Sequence, residues 1–201
     1  MEIIKGTYAS AYVYSDTAEA FSLAQVKMIC DHQAAEGSKI RVMPDVHPGK
    51  IGPIGLTMTV GQRVLPGLVG IDIGCGVSYV KFRAKAMEYQ KLDRIIAEEI
   101  PTGMNIRKTP LQGGLDFDFD RLLCQKHVNK DKALRSLGTL GGGNHFIEID
   151  RGCNGDTYIV VHSGSRHLGK EVSEYYMRQG QNAIKAQGKV VPYEMTYLEG
   201  P

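Results

Sequence analysis

The most constraining stretch of this chain is Val69-Gly-Ile-Asp-Ile-Gly-Cys-Gly-Val77. Glycine at 70, 74 and 76 admits backbone angles closed to other residues and lets a ligand approach the main chain. Within that frame Asp72 and Cys75 stand three residues apart. Carboxylate and thiolate are both metal-ligand chemistry, and a thiolate draws zinc, iron, cobalt or manganese. The reading is that Asp72 and Cys75 begin a metal site that His145 and His162 help to complete.

Glycine is 24 of 201 residues, well above the usual ~7 %. It has no collagen period and clusters in 49–55, 61–76, 103–114, 138–143 and 152–155. Such clusters between apolar strands imply tight turns and close backbone contact with a ligand, or else a loop-rich fold. Apolar content of 42 % and charged content of 23 % are those of a globular chain. The formal charge is only +2 and no block of five like charges occurs, so global charge does not argue for nucleic acid, although a local patch stays open.

Cysteines at 30, 75, 124 and 153 match no disulfide scaffold or zinc-finger spacing. The start of the chain has no basic segment followed by an apolar core, and no apolar run reaches membrane-spanning length. A reducing, cytoplasmic setting without membrane attachment is therefore expected. The length suits one domain or a large part of a bigger one, and no linker or repeat divides it.

Read in order, Ala11-Tyr-Val-Tyr14 is a weak strand. Ser22 and Gln25 form a candidate capping box for a helix running to about Ala35 and stopped by Gly37. Its apolar residues Leu23, Val26, Ile29 and Cys30 recur at three-and-four spacing. A strand begins at Ile40 and is expected to break at Pro44, leaving His47 extended ahead of Pro48. Residues 54–60, 64–69 and 77–82 read as strands and 88–100 as an amphipathic helix ended by Pro101. Residues 101–115 read as a loop and 116–136 as mostly helical. A glycine turn then leads into a strand ending near Ile149, with a turn at 152–156, a returning strand at 158–161 and a helix over 170–186. The tail from Val191 reads as cut rather than finished.

The hairpin carries the strongest geometric inference. His145 starts one strand and His162 ends the next, so antiparallel pairing brings both imidazoles to one sheet edge. If Asp72 and Cys75 meet them, the ligand set is two nitrogens, one oxygen and one sulfur, and the sulfur can bridge a binuclear centre. Phosphoryl oxygens are natural substrates of such a centre. The competing reading of Cys75 is a buried small hydrophobe. Beside His145, Gly141-Gly-Gly-Asn144 offers successive N–H groups for an anion and a side-chain amide. Ser163, Ser165 and Arg166 extend that logic, since a guanidinium fork matches phosphate. His47, Lys50 and His167 are further candidates for RNA contact or support, or are surface groups. No Walker, Rossmann, zincin or Gly-x-Ser-x-Gly motif is present.

With these segments in view, the chain resembles the RtcB family of RNA-splicing ligases. The matching segments are Met43-Pro-Asp-Val-His-Pro-Gly49, Gly70-Ile-Asp-Ile-Gly-Cys-Gly76, Leu140-Gly-Gly-Gly-Asn-His-Phe146 and Val161-His-Ser-Gly-Ser-Arg166, joined by Pro101-Thr-Gly103. The resemblance implies an α+β fold of mixed β-sheets with flanking helices around a metal-centred cleft. Residues 1–201 would be the truncated N-terminal portion of a single catalytic domain.

The implied activity is GTP-dependent joining of RNA 3′-phosphate or 2′,3′-cyclic phosphate ends to 5′-hydroxyl ends, in tRNA processing or RNA repair. The family route runs through a guanylylated histidine, transfer of GMP to the 3′-phosphate and displacement by the 5′-hydroxyl. Members use one or two Mn²⁺ ions and sometimes the activator archease. By matched position, Asp72, Cys75 and His145 would hold one ion, with Cys75 and His162 contributing to a second. Asn144 would contact the guanylate phosphate, with Ser163 and Ser165 beside it, and Arg166 a phosphate of RNA or nucleotide.

The family is roughly twice as long, and its nucleophilic histidine lies in the C-terminal half. No histidine follows His167 here, so no catalytic residue is assigned within the chain and the nucleophile is expected past Pro201. Two other classes stay open: a metal-dependent RNA phosphatase or cyclic phosphodiesterase, and a noncatalytic metal- or RNA-binding remnant.

Overall fold

Apolar residues at alternate positions of two short strands, and at three-and-four spacing on one helix, set the first core. The computed structural model describes residues 1–83, 86–112 and 118–200. In chain order the elements are β1 (Glu2–Lys5), β2 (Ser10–Val13), α1 (Ala20–Cys30), β3 (Ile40–His47), β4 (Ile54–Met58), β5 (Arg63–Val64), α2 (Pro66–Val69), β6 (Gly76–Phe82), α3 (Tyr89–Glu99), α4 (Lys130–Ser136), β7 (Phe146–Arg151), β8 (Thr157–Ser163), α5 (His167–Ala186) and β9 (Leu198–Glu199). The fold is mixed α+β. No helix among the described residues is long and apolar enough to cross a membrane.

The chain forms two compact units, one of Met1–Gly70 with the chain from Ser173 onward and one of Ile71–Val172. In the first, a four-stranded sheet has the order β1-β2-β3-β4. Strands β2 and β3 run parallel, with Ala11 paired to Ile40 and Val13 to Val42. Parallel neighbours need a crossover, and α1 provides it. Its Val26, Ile29 and Cys30 bury completely against Ala11, Val13, Ile40 and Val42.

Four expectations are corrected in detail. Helix α1 starts at Ala20, so Ser22 lies inside it, buried, and forms no cap. Gln25 instead donates to the Gly49 carbonyl at 2.7 Å and accepts from its N–H, tying the helix to the loop after β3. Strand β3 continues through Pro44, because the pairing with β4 shifts register between Val42 and His47. An irregularity is where a residue without an N–H fits a strand. The predicted strand at 64–69 is two residues of β5 followed by α2, with Pro66 at the helix start, where its fixed φ is favourable. Finally, 118–136 holds two single 3₁₀ turns, Phe119–Arg121 and Gln125–His127, before α4. The expected helix at 116–117 lies outside the described residues.

In the second unit a three-stranded antiparallel sheet has the order β6-β8-β7. The predicted hairpin is β7–β8, closed by Gly152 N–H donating to the Asp156 carbonyl at 2.8 Å. Asp156, 1 % exposed, locks the turn to β6 by pairing with Lys81 at 2.6 Å and Arg83 at 3.0 Å. These two bonds, Lys81 first, hold the Asp156 carboxyl below the usual aspartate range.

Candidate metal centre

Antiparallel pairing on both sides of β8 decides where the candidate ligands go. His162 on β8 lies opposite Val77 of β6 and Phe146 of β7. Cys75 is two residues before Val77, and His145 is one residue before Phe146. The start of β6, the start of β7 and the end of β8 therefore share one end of the sheet. One ligand atom each from Cys75, His145 and His162 lies within 4.8 Å of the other two. Cys75 Sγ is 2.6 Å from His162 Nε2. The two imidazole rings meet edge to face at 5.4 Å, and Phe146 packs on His162 at 5.3 Å.

Asp72 enters through His145. Its Oδ2 lies 2.7 Å from His145 Nε2, with the histidine side chain 4 % exposed and the aspartate 36 %. Its carboxylate adjoins two of the three clustered side chains, through the contact with His145 and a hydrogen bond with Cys75. Gly164 makes room for it, since a side chain there would overlap the Asp72 carboxylate. Gly169, in the first turn of α5, lets that helix approach the backbone of Ile71 and Ile73, where a Cβ would stand 3.0 Å from Ile71 O and from Ile73 N. In the sequence Gly164 reads only as part of the anion-holding Ser163–Arg166 run, and Gly169 carries no signal there.

The glycine turn is held from below. Gly103 N–H donates to the Gly141 carbonyl at 2.9 Å and Leu140 N–H to Pro101 O at 3.0 Å. Arg166, with φ of 57°, donates from Nη2 to the Gly103 carbonyl at 2.7 Å. Its guanidinium occupies the space a Gly141 side chain would fill, beside His145 Nδ1. Ser163 Oγ donates to the Leu140 carbonyl at 3.1 Å. Gly142, Gly143 and Asn144 stay exposed next to His145. His167 opens α5 and pairs with Glu171 at 2.9 Å. His47, exposed at the end of β3 with Nδ1 2.8 Å from the Asp45 carbonyl, and Lys50, also exposed, belong to the other unit.

The donor set fits a divalent cation. Imidazole and thiolate are ligands of zinc and iron, and the adjoining Asp72 carboxylate adds the oxygen chemistry that suits manganese. His145 Nδ1, Ser165 Oγ and Arg166 Nε are buried without a hydrogen-bond partner among the described residues, a concentration of unmet polar atoms that buried sites rarely keep without reason. Local desolvation, followed by the charge and hydrogen bond of Asp72, pushes the Cys75 thiol up. A cation between the two acidic groups reverses that opposition.

The chain is thus an α+β protein with a cysteine–histidine–histidine cluster, a candidate metal-binding site, at the end of an antiparallel sheet. The sequence model of the family described as tRNA-splicing ligase RtcB matches residues 25–126 and 119–199, so the chain belongs to the RtcB family. It is 29 % identical to RNA-splicing ligase RtcB of Escherichia coli, over 76 % of this chain and 42 % of that protein. It is 27 % identical to tRNA-splicing ligase RtcB of Archaeoglobus fulgidus, over 75 % of this chain and 42 % of that protein. Against the ligase of the same name from Methanococcus maripaludis the figures are 28 %, 71 % and 41 %. The chain thus spans about two fifths of the length of these relatives.

Proposed function

We propose that this chain is the N-terminal portion of a single RtcB-like catalytic domain, in a GTP- and Mn²⁺-dependent RNA ligase. That enzyme joins 3′-phosphate or 2′,3′-cyclic phosphate ends to 5′-hydroxyl ends through a histidine-guanylate, with the nucleophilic histidine on a further segment. The observation that carries the reading is the meeting of Cys75, His145 and His162, from three separate stretches of sequence, within 4.8 Å. A divalent cation there would supply Lewis-acid stabilisation of phosphoryl oxygens.

In this reading Cys75, His145 and His162 hold the ion, and Asp72 fixes the His145 ring or joins it as a ligand. The exposed turn from Gly142 to Asn144 receives a phosphate of GTP or RNA through N–H groups and the Asn144 amide. Arg166 supports that turn through Gly103 and contributes positive charge beneath it, with Ser163 and Ser165 alongside. The partners are RNA with these ends and, in the same proposal, archease, in the cytoplasm.

The test is Mn²⁺ titration by calorimetry, followed by incubation of the 201-residue chain with GTP and detection by mass. Metal binding without a GMP adduct is expected. An adduct on this chain would refute the assignment of the nucleophile elsewhere. Phosphate released from cyclic-phosphate RNA in the absence of GTP would favour the phosphatase class instead.

A further inference from the structure

The turn that delivers His145 cannot hold its own shape. Between the end of α4 at Ser136 and the start of β7 at Phe146 lie four glycines, Gly138, Gly141, Gly142 and Gly143. Three of them have positive φ, 65° at Gly138, 91° at Gly141 and 78° at Gly143. Glycine loses more backbone freedom on folding than any other residue, so such a stretch needs bonds from outside to order it. Arg107 supplies them at the entry to the turn. Its Nε donates to the Leu137 carbonyl at 3.2 Å, and its Nη2 to the carbonyls of Gly138 at 2.8 Å and Glu99 at 3.3 Å. Its backbone N–H donates to Arg135 O at 3.0 Å. Glu99 ends α3, and Leu137 and Gly138 follow the last residue of α4. Carbonyls at a helix C-terminus have no partner within the helix, and the helix dipole favours a cation there. A guanidinium, a planar fork of fixed donors, satisfies three such carbonyls at once. A Cβ on Gly138 would stand 3.3 Å from Arg107 Nη2 and 2.6 Å from Leu111 Cδ1, so these two side chains close over that glycine.

We propose that Arg107 is a positioning residue for His145: it fixes where the glycine turn leaves α4 and so where the histidine enters the candidate metal centre. Pro101, Gly103 and Arg166 fix the later part of the turn, at Leu140 and Gly141. Without Arg107 the entry at Leu137 and Gly138 loses its side-chain bonds, and the positive-φ glycines beyond it give no resistance to a swing. Arg107 acts through those two carbonyls and not on the metal ligands themselves. The consequence for metal affinity rests on the metal-binding reading of the cluster; the effect on the turn does not.

The experiment is hydrogen–deuterium exchange read by mass on the metal-free 201-residue chain, followed by Mn²⁺ calorimetry. Arg107→Ala should speed exchange over residues 138–145 by roughly tenfold or more, while the paired interiors of β7 and β8 keep their wild-type rates. Free guanidinium at a non-denaturing concentration, but not equal sodium chloride, should restore the rate by occupying the vacated place. Arg107→Lys should restore little, since one ammonium cannot reproduce a fork aimed at three carbonyls. Mn²⁺ affinity should fall about five- to twentyfold in Arg107→Ala and recover with guanidinium. Exchange over 138–145 that stays at the wild-type rate, or rises equally across the whole sheet, overturns the proposal. So does an Mn²⁺ affinity equal to that of a binding wild type. If Arg107→Ala does not fold, Arg107→Lys carries the test, and a wild-type exchange rate in that variant is the refuting result. A wild type that binds no Mn²⁺ sinks the metal reading, while the exchange result still decides the role of Arg107.

Discussion

Gly164→Ala tests the metal centre by displacing the Asp72 carboxylate while leaving every candidate ligand in the sequence. A methyl built on Gly164 stands 2.5 Å from Asp72 Oδ2 and closer still to Oδ1. An ordinary carbon–oxygen contact begins near 3.4 Å. The carboxylate must therefore retreat by about 1 Å, and the 2.7 Å bond to His145 Nε2 opens to roughly 3.6 Å, past hydrogen-bond range. His145 then loses the group that sets its orientation. Losing a carboxylate that supports a metal-binding histidine typically costs 10–100-fold in affinity, about 1.4–2.8 kcal/mol, and that loss is expected here. Calorimetric titration with Mn²⁺, and absorption of a Co²⁺–thiolate complex at the same site, measure the loss. Circular dichroism checks that the sheet is retained. Mn²⁺ affinity unchanged within two-fold would refute the claim that the Asp72 carboxylate contributes to the centre.

Other outcomes follow from the same structure. Cys75→Ala should abolish Mn²⁺ binding by calorimetry, since it removes the sulfur of a cluster that has three members among the described residues. Asp156→Asn should lower the thermal midpoint at neutral pH. The folded carboxyl titrates below its unfolded value, so its contribution is present above about pH 4 and disappears as pH falls through the folded value. The gap in midpoint between wild type and variant should therefore close on acidification, and a gap independent of pH would count against the pairing with Lys81 and Arg83. Ile29→Ala, at a fully buried position, should destabilise its unit by about 2–5 kcal/mol in denaturant unfolding.

Local order was legible where one pattern met no rival. The spacing of Val26, Ile29 and Cys30 announced the buried face of α1, and the turn at 152–156 announced a hairpin with a histidine at each open end. Failures fell where a distant group decided the outcome. Ser22 and Gln25 read as a cap until Gly49 claimed the glutamine. Pro44 read as a strand end because the register shift that accommodates it depends on β4, a partner invisible locally. Pro66 heads a short helix where apolar residues alone read as a strand.

By itself the sequence determined the chemistry on offer: two imidazoles, a thiolate, a carboxylate and glycine-rich turns, arranged in motifs specific enough to name a family. Tertiary structure alone decided how they combine. It set Asp72 against His145 and Cys75, placed Gly164 as the space that carboxylate needs, and turned Arg166 inward to brace the Gly141 turn through Gly103. Residue spacing fixes which side chains share a strand or helix face. Contacts between segments some ninety residues apart, such as Cys75 with His162, depend on how strands pair, and only the folded chain specifies that pairing.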